Sequence, residues 1–89
     1  MTQLERIAYM EAVLDDALAA VYTYTGTSEQ RQRIKPLIDT LSAYYHSPLW
    51  MRDYKDDEAG LLPKDLKRGV LSQDAVYNLL ERWDEYTRD

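Results

Sequence analysis

The stretch that decides the fold runs from residue 50 to residue 80 and reads WMRDYKDDEAGLLPKDLKRGVLSQDAVYNLL. Ser47 and Pro48 stand just before it and are typical of a helix start, because a proline at the first helical position has no amide to leave unpaired. They predict a short helix from residue 48 to about residue 58 that stops at Gly60. Three large side chains of this helix are predicted to point inward: Leu49, Trp50 and Tyr54.

The second half of the stretch predicts a corner followed by the last helix. Leu61-Leu62-Pro63 is typical of a sharp turn, and residues 63–68 are predicted to form one helical turn closed by Gly69. Ser72 is a favoured helix cap, and Asp74 suits the positive end of the helix that follows. The core face of that helix is predicted to contain Val76, Leu79, Leu80, Trp83 and Tyr86.

Two capping boxes predict the helices of the first half. Thr2 with Glu5 and Thr27 with Gln30 have the spacing at which the two side chains satisfy exposed amides reciprocally, and Gly26 is a natural stop between them. The core face predicted for the first helix is Leu4, Ile7, Leu14, Leu18 and Val21. A second apolar strip on the same helix is Tyr9, Val13, Ala20 and Tyr24.

The second helix has a clear apolar face but an internal proline. The face is predicted to contain Ile34, Leu37, Ile38, Leu41, Tyr44 and Tyr45. Pro36 removes a backbone donor, so we expect either a kink or a helix that begins near Lys35. No window alternates as a strand does. Short connections favour antiparallel neighbours. The sequence therefore predicts an all-α fold: one domain over residues 1–89, a small compact bundle of three to four mostly antiparallel helices with a short helical turn before the last.

Composition excludes several classes of function. The chain has 89 residues, a net charge of −5 and no cysteine. Binding to nucleic acid or to an anionic membrane rests on Lys and Arg, so neither is expected. No apolar run approaches the ~20 residues that span a bilayer. We expect a cytoplasmic protein without a cofactor.

The string W-x-x-D-Y-x-x-D-E-x-G-L-L-P-x-D-L-K-R-G-V-L-S-x-D-A-V-Y-N-L-L, from Trp50 to Leu80, resembles a bacterial family called domain of unknown function 4298. The preceding Tyr44-Tyr45-x-Ser47 also fits, so the resemblance covers residues 44–80. Gln73 departs from the pattern, which has an acidic residue after the serine. The resemblance implies a small, mostly helical bacterial protein and implies no activity, cofactor or catalytic residue.

The acidic cluster is the first candidate site. Asp53, Asp56 and Asp57 have helical i, i+3, i+4 spacing, with Glu58 beside them. Carboxylates that converge in this way can hold Ca²⁺ or Mg²⁺, although the spacing does not fit an EF-hand loop. A solvated face, or pairing with cations across the corner, is the favoured interpretation. The cations in question are Lys64, Lys67 and Arg68.

Three further sets of polar residues have simple structural interpretations. Glu11 and Asp15 lie one turn apart and are expected to be solvated at the edge of the first helix. His46, the only histidine, is expected at a helix C-terminus, where a cationic ring is favourable. The basic island that contains Lys67 and Arg68 is expected to form internal salt bridges, which we favour over binding of an acidic peptide or a phosphate.

The leading functional hypothesis is a non-catalytic interaction or regulatory protein that meets a protein partner or a second copy of itself. An exposed aromatic surface or the second strip of the first helix would make the contact, and the aromatic candidates are Tyr44, Tyr45, Trp50 and Tyr54. One alternative is an enzyme, or an enzyme subunit, with a carboxylate or metal site formed by Asp53, Asp57 and Glu58, which requires a concave pocket and a raised pKa. Another is an acidic decoy that imitates nucleic acid. It ranks last because eleven Lys and Arg interleave with sixteen acids.

Overall fold

The computed structural model describes residues 1–88 and is all-α. It contains helices α1 (Gln3–Tyr22), α2 (Ser28–Tyr45), α3 (Pro48–Glu58) and α4 (Gln73–Thr87), with a 3-10 turn at Gly69–Leu71 before the last helix. No strand occurs in this part of the chain. The predicted fold class, a small helical bundle with a short helical turn before the last helix, is confirmed.

The residues predicted to cap the four helices do so. Thr2 accepts a hydrogen bond from the amide of Glu5, and the Glu5 carboxylate accepts one from the amide of Thr2, so the capping box is complete. Thr27 forms a second complete box with Gln30. The hydroxyls of Ser47 and Ser72 accept from amides in the first turns of α3 and α4. Each helix start was therefore encoded within four residues.

Helix α2 passes through Pro36 without ending. It is continuous from Ser28, so a start near Lys35 was wrong. Pro36 is exposed, and the carbonyl that loses its intrahelical donor there can be solvated. The hydroxyl of Thr40 donates to the carbonyl of Pro36 at 2.8 Å.

The helical turn before α4 lies further along the chain than predicted. Residues 63–68 do not form it; the turn is at Gly69–Leu71. The Arg68 guanidinium donates to the carbonyls of Pro63 and Leu66 and so stabilises the loop that precedes it. The amide of Val70 donates to Glu11 of α1 and its carbonyl accepts from Trp50 of α3. These long-range contacts fix the turn after that loop. Gly60, at φ +72°, ends α3 as predicted.

The core draws on all four helices and the turn. Its buried apolar residues are Ile7, Val13, Leu14, Ala17, Val21, Ile34, Ile38, Leu41, Tyr44, Trp50, Leu62, Val70, Leu71, Val76, Leu79 and Trp83. Three side chains predicted to face this core are exposed instead: Leu4, Leu49 and Tyr86. Each lies in the first two or last two residues of its helix, where fewer neighbours are available to cover it.

Helices α2 and α4 run antiparallel. Arg31, near the start of α2, donates to the hydroxyl of Tyr24 at 2.7 Å, and the ring of Tyr24 stacks on that of Tyr86, near the end of α4, with centroids 5.8 Å apart. The start of one helix therefore lies beside the end of the other. The molecule is elongated, with principal extents of 42 × 19 × 18 Å. Among the described residues, no helix has the length and apolar character needed to cross a membrane.

Candidate functional site

Asp53 is fully buried and binds three other helical side chains. Arg6 donates to it through both Nε (3.0 Å) and Nη2 (2.6 Å), Tyr44 donates its hydroxyl at 2.6 Å, and Gln3 donates its amide at 3.0 Å. The same Gln3 amide reaches Asp56 at 2.8 Å. We call Gln3, Arg6, Tyr44 and Asp53 the clasp, because it joins α1, α2 and α3.

The clasp holds Asp53 ionised. Burial raises the pKa of this carboxyl, but hydrogen bonds from Arg6, Tyr44 and Gln3 outweigh burial and leave the pKa below its ordinary value. Burial and the bond to Asp53 raise the pKa of the Tyr44 hydroxyl. The hydrogen bond to Asp53 also raises the pKa of Arg6. A carboxylate whose lone pairs are occupied and whose charge is balanced is suited to holding helices together, since it has no proton to exchange near neutral pH.

The carboxylate of Glu11 forms a second buried polar contact, on the turn before α4. Glu11 Oε2 accepts from the Val70 amide at 2.8 Å, and the indole of Trp50 donates to the Val70 carbonyl at 2.9 Å. A Cβ on Gly69 would lie 2.9 Å from Glu11 Oε1, so a larger residue there would displace this carboxylate from its present position. Glu11 is thus a buried anchor, and the prediction that it is solvated was wrong.

The basic island closes the loop between α3 and α4. The guanidinium of Arg68 forms an ion pair with Asp57, in the internal pairing role predicted for it. Lys67 instead lies 3.7 Å from Asp15 of α1, with both side chains largely exposed. Exposed pairs of this kind contribute little, typically under ~1 kcal/mol.

The acids proposed as metal ligands have separate roles. Asp53 belongs to the clasp and pairs with Arg6, whereas Asp57 pairs with Arg68. Over residues 1–88, no group of three or more His, Cys, Asp or Glu side chains is arranged to hold a metal ion. A shallow cavity of about 300 Å³ is lined by Asp57, Glu58 and Arg68 among others, but not by Asp53. The prediction that the whole cluster forms a solvated face was wrong for Asp53.

The aromatic residues predicted to form an exposed surface belong largely to the interior. Tyr44 and Trp50 are 4% and 3% exposed. Tyr45 and Tyr54 are partly buried and pack against the Trp50 ring with centroid distances of 5.0 and 5.1 Å. The predicted exposed surface is therefore not formed. The second strip of α1 is also mostly covered: Val13 is buried, Ala20 and Tyr24 are partly buried, and Tyr9 remains exposed.

His46 lies at the C-terminal end of α2, as predicted. Its Nδ1 is 2.8 Å from the carbonyl of Ser42 in the last turn, and its ring meets that of Tyr45 edge-on. The imidazole thus caps its own helix.

A groove of about 600 Å³ lies between α2 and α4. We call it the α2–α4 groove. The apolar side chains in it are Ile38, Tyr45, Leu80 and Trp83, with Tyr77 exposed at the edge. The charged and polar side chains that line it are Arg31, Lys35, Asp39, Ser42, His46, Glu81, Asp84 and Thr87. Sequence reasoning missed this groove because it treated each helix separately.

Opposite charges border the two sides of the groove. Arg31 and Lys35, one turn apart, line it from α2, whereas Glu81 and Asp84 line it from α4. Because the helices are antiparallel, Arg31 and Asp84 lie toward the same end. The spacing of Glu81 and Asp84 after Tyr77 and Leu80 is the sequence signal that could have indicated an acidic border beside an apolar row.

These features define a class: a small helical protein with a satisfied ionic interior and one open, charged groove. The family model described as Domain of unknown function (DUF4298) matches residues 7–88, and the chain belongs to that family. The match extends the resemblance over α1 from Ile7 onward, over α2 and to the end of α4. No curated protein and no solved structure matches the chain.

Proposed function

We propose that this chain is a non-catalytic interaction protein whose α2–α4 groove binds a helical part of another protein molecule. The observation that carries the proposal is the contrast between the groove and the interior. The interior polar groups are satisfied, since no buried side-chain nitrogen or oxygen within residues 1–88 lacks a hydrogen-bond partner. In the groove, by contrast, Tyr77 is exposed, Tyr45 and Leu80 are partly exposed, and two charged borders face solvent.

The dimensions of the groove favour a helix as its ligand. The part of α2 that lines it, from Arg31 to His46, is about 22 Å long at 1.5 Å per residue. An amphipathic helix of three to four turns has that length and presents an apolar stripe flanked by charges. Its stripe would lie on Ile38, Leu80 and Trp83, and a cationic flank would face Glu81 and Asp84.

Neither alternative hypothesis gains support from the same observations. An enzyme centred on Asp53 needs a carboxyl with a raised pKa in an open cavity, whereas this carboxyl is buried and its pKa is lowered. A decoy that imitates nucleic acid needs exposed rows of acids, but Asp53 and Glu11 are turned inward. A cytoplasmic location, supported by the absence of cysteine, remains part of the proposal.

Site-specific photo-crosslinking in the native host tests the proposal. A photoreactive phenylalanine analogue would replace Tyr77, 53% exposed at the groove, or, as a control of similar exposure, Tyr9, 49% exposed on α1. We expect a discrete protein adduct from position 77 and none from position 9. Absence of an adduct at position 77, or equal yields at both positions, would contradict the groove as the binding surface.

A further inference from the structure

We propose that the occupant of the α2–α4 groove is the same face of a second copy of this chain. The two copies would form a four-helix bundle around a two-fold axis parallel to the helices. This inference rests on the proposed function, because it requires that the groove bind protein, and it adds the identity of that protein and the orientation in which it binds.

The charges bordering the groove are self-complementary in register. Arg31 and Lys35 lie one turn apart on α2, and Asp84 and Glu81 lie about one turn apart on α4 in the opposite chain direction. Moving inward from the end near Tyr24, the α2 border presents two cations and then Asp39, which pairs with Lys35, whereas the α4 border presents two anions. At the end near Tyr24, the two borders therefore carry opposite charges.

Two-fold symmetry offers two ways to stack these faces, and charge selects one of them. With the axis parallel to the helices, α2 of each copy lies over α4 of the other, and the Arg31–Lys35 border meets the Glu81–Asp84 border twice. With the axis across the helices, α4 lies over α4 and the acids meet their own copies. Like charges brought together at an interface cost several kcal/mol, so the first arrangement is favoured.

The selected arrangement also buries the apolar side chains in a regular way. Each helix has antiparallel neighbours on both sides, as in an up-down four-helix bundle. Leu80, which is partly exposed, would face its copy, whereas Ile38 and Trp83, 8% and 9% exposed, already belong to the core of each chain. The present partners of two border charges, Asp39 for Lys35 and Arg88 for Asp84, form exposed ion pairs. Each such pair stabilises the chain by under ~1 kcal/mol, so replacing it with an ion pair across the interface costs little free energy.

The area predicts a weak dimer. The face is about 22 Å long and, at about 10 Å per helix, about 20 Å wide, which corresponds to roughly 440 Å² in projection. A standard interface buries about 800 Å² per partner. We therefore expect concentration-dependent association with a Kd on the order of 10–100 µM.

Analytical ultracentrifugation of the full chain from about 10 µM to about 1 mM spans that range. The mean mass of the wild type should rise from 10.5 kDa toward twice that value. Two double charge reversals, E81K/D84K and R31E/K35E, should each weaken association at least tenfold, since each makes both borders alike. The quadruple variant that combines them restores opposite borders and should associate within about threefold of the wild type.

A matched control reverses two cations away from the groove. R52E/K55E, on the exposed face of α3, changes the net charge by the same amount as R31E/K35E and should leave association unchanged. Circular dichroism would verify that every variant is folded.

Three results would overturn the inference: a wild type that is monomeric at about 1 mM, double variants that associate normally, or a folded quadruple variant that does not associate. If the wild type is monomeric, a crosslink from position 77 to a different protein would still support the proposed function. Absence of any crosslink would remove the proposed function independently.

Discussion

The clasp and the α2–α4 groove use the same kinds of residue in opposite ways. Both combine carboxylates, an arginine and aromatic side chains on facing helices. In the clasp, every polar atom of Asp53 is satisfied inside the chain and water is excluded. In the groove, the charged side chains are exposed, and the ion pairs Lys35–Asp39 and Asp84–Arg88 each lie within one helix. The comparison teaches that burial, rather than residue type, distinguishes a structural ionic cluster from a surface available for binding.

The largest expected effect comes from removing the buried carboxylate. Asp53→Ala leaves the guanidinium of Arg6, 15% exposed at its side chain, and the hydroxyl of Tyr44 without their acceptor. Breaking a buried ion pair in this way costs about 3–5 kcal/mol of unfolding free energy. Urea denaturation measures the loss.

Asp39→Ala is the matched control for the groove. Asp39 also accepts from a cation, Lys35, but the pair is exposed, so its loss should cost under about 0.5 kcal/mol. Equal costs at positions 39 and 53 would erase the distinction between the two regions.

The pH dependence of stability sharpens the same comparison. Hydrogen bonds hold the pKa of Asp53 below its ordinary value, so as the pH falls the unfolded chain binds this proton before the folded chain does. The stabilisation is therefore complete at neutral pH and is lost as the pH falls below about 4 toward the folded-state pKa. The free-energy difference between wild type and Asp53→Asn should shrink in that window. A difference that stays constant from pH 7 to below pH 4 would show that the carboxylate charge does not stabilise the clasp.

Gly69→Ala should have an intermediate effect. The added methyl group would lie 2.9 Å from Glu11 Oε1 and force this carboxylate away from the Val70 amide. Overpacking of this kind costs about 1–3 kcal/mol. Thermal denaturation of a double-mutant cycle with Glu11→Ala tests the cause, because alanine at position 69 should cost little once the carboxylate is gone. An unchanged cost in that background would point to the backbone instead.

The smallest expected effect on stability is in the groove. The variant E81K/D84K alters exposed charges, including the ion pair of Asp84 with Arg88 and the hydrogen bond of Glu81 with Tyr77, so its unfolding free energy at low protein concentration should change by less than about 1 kcal/mol. Chemical denaturation of the dilute monomer provides the measurement. A loss comparable to that of Asp53→Ala would mean that these acids stabilise the fold and are not reserved for a partner.

The capped starts of the four helices and the end of α3 were determined by the sequence alone. Capping boxes, Ser47-Pro48 and the glycine at position 60 act over four residues or fewer, so their outcome does not depend on the rest of the chain. Apolar periodicity likewise identified most of the core. The motifs over residues 44–80 also indicated the family to which the chain belongs.

Only the tertiary structure decided which charged side chains are buried and which groups they contact. Asp53 shares a helical face with Trp50 and Tyr54, which hinted at burial, but its partners Arg6 and Gln3 are 47 and 50 residues away. The contact of Glu11 with Val70 spans 59 residues and fixes the turn before α4. The groove exists only because α2 and α4 lie side by side. A charge can be buried only when a counterion or hydrogen-bond donors are brought to it, and that pairing is a property of the packed helices.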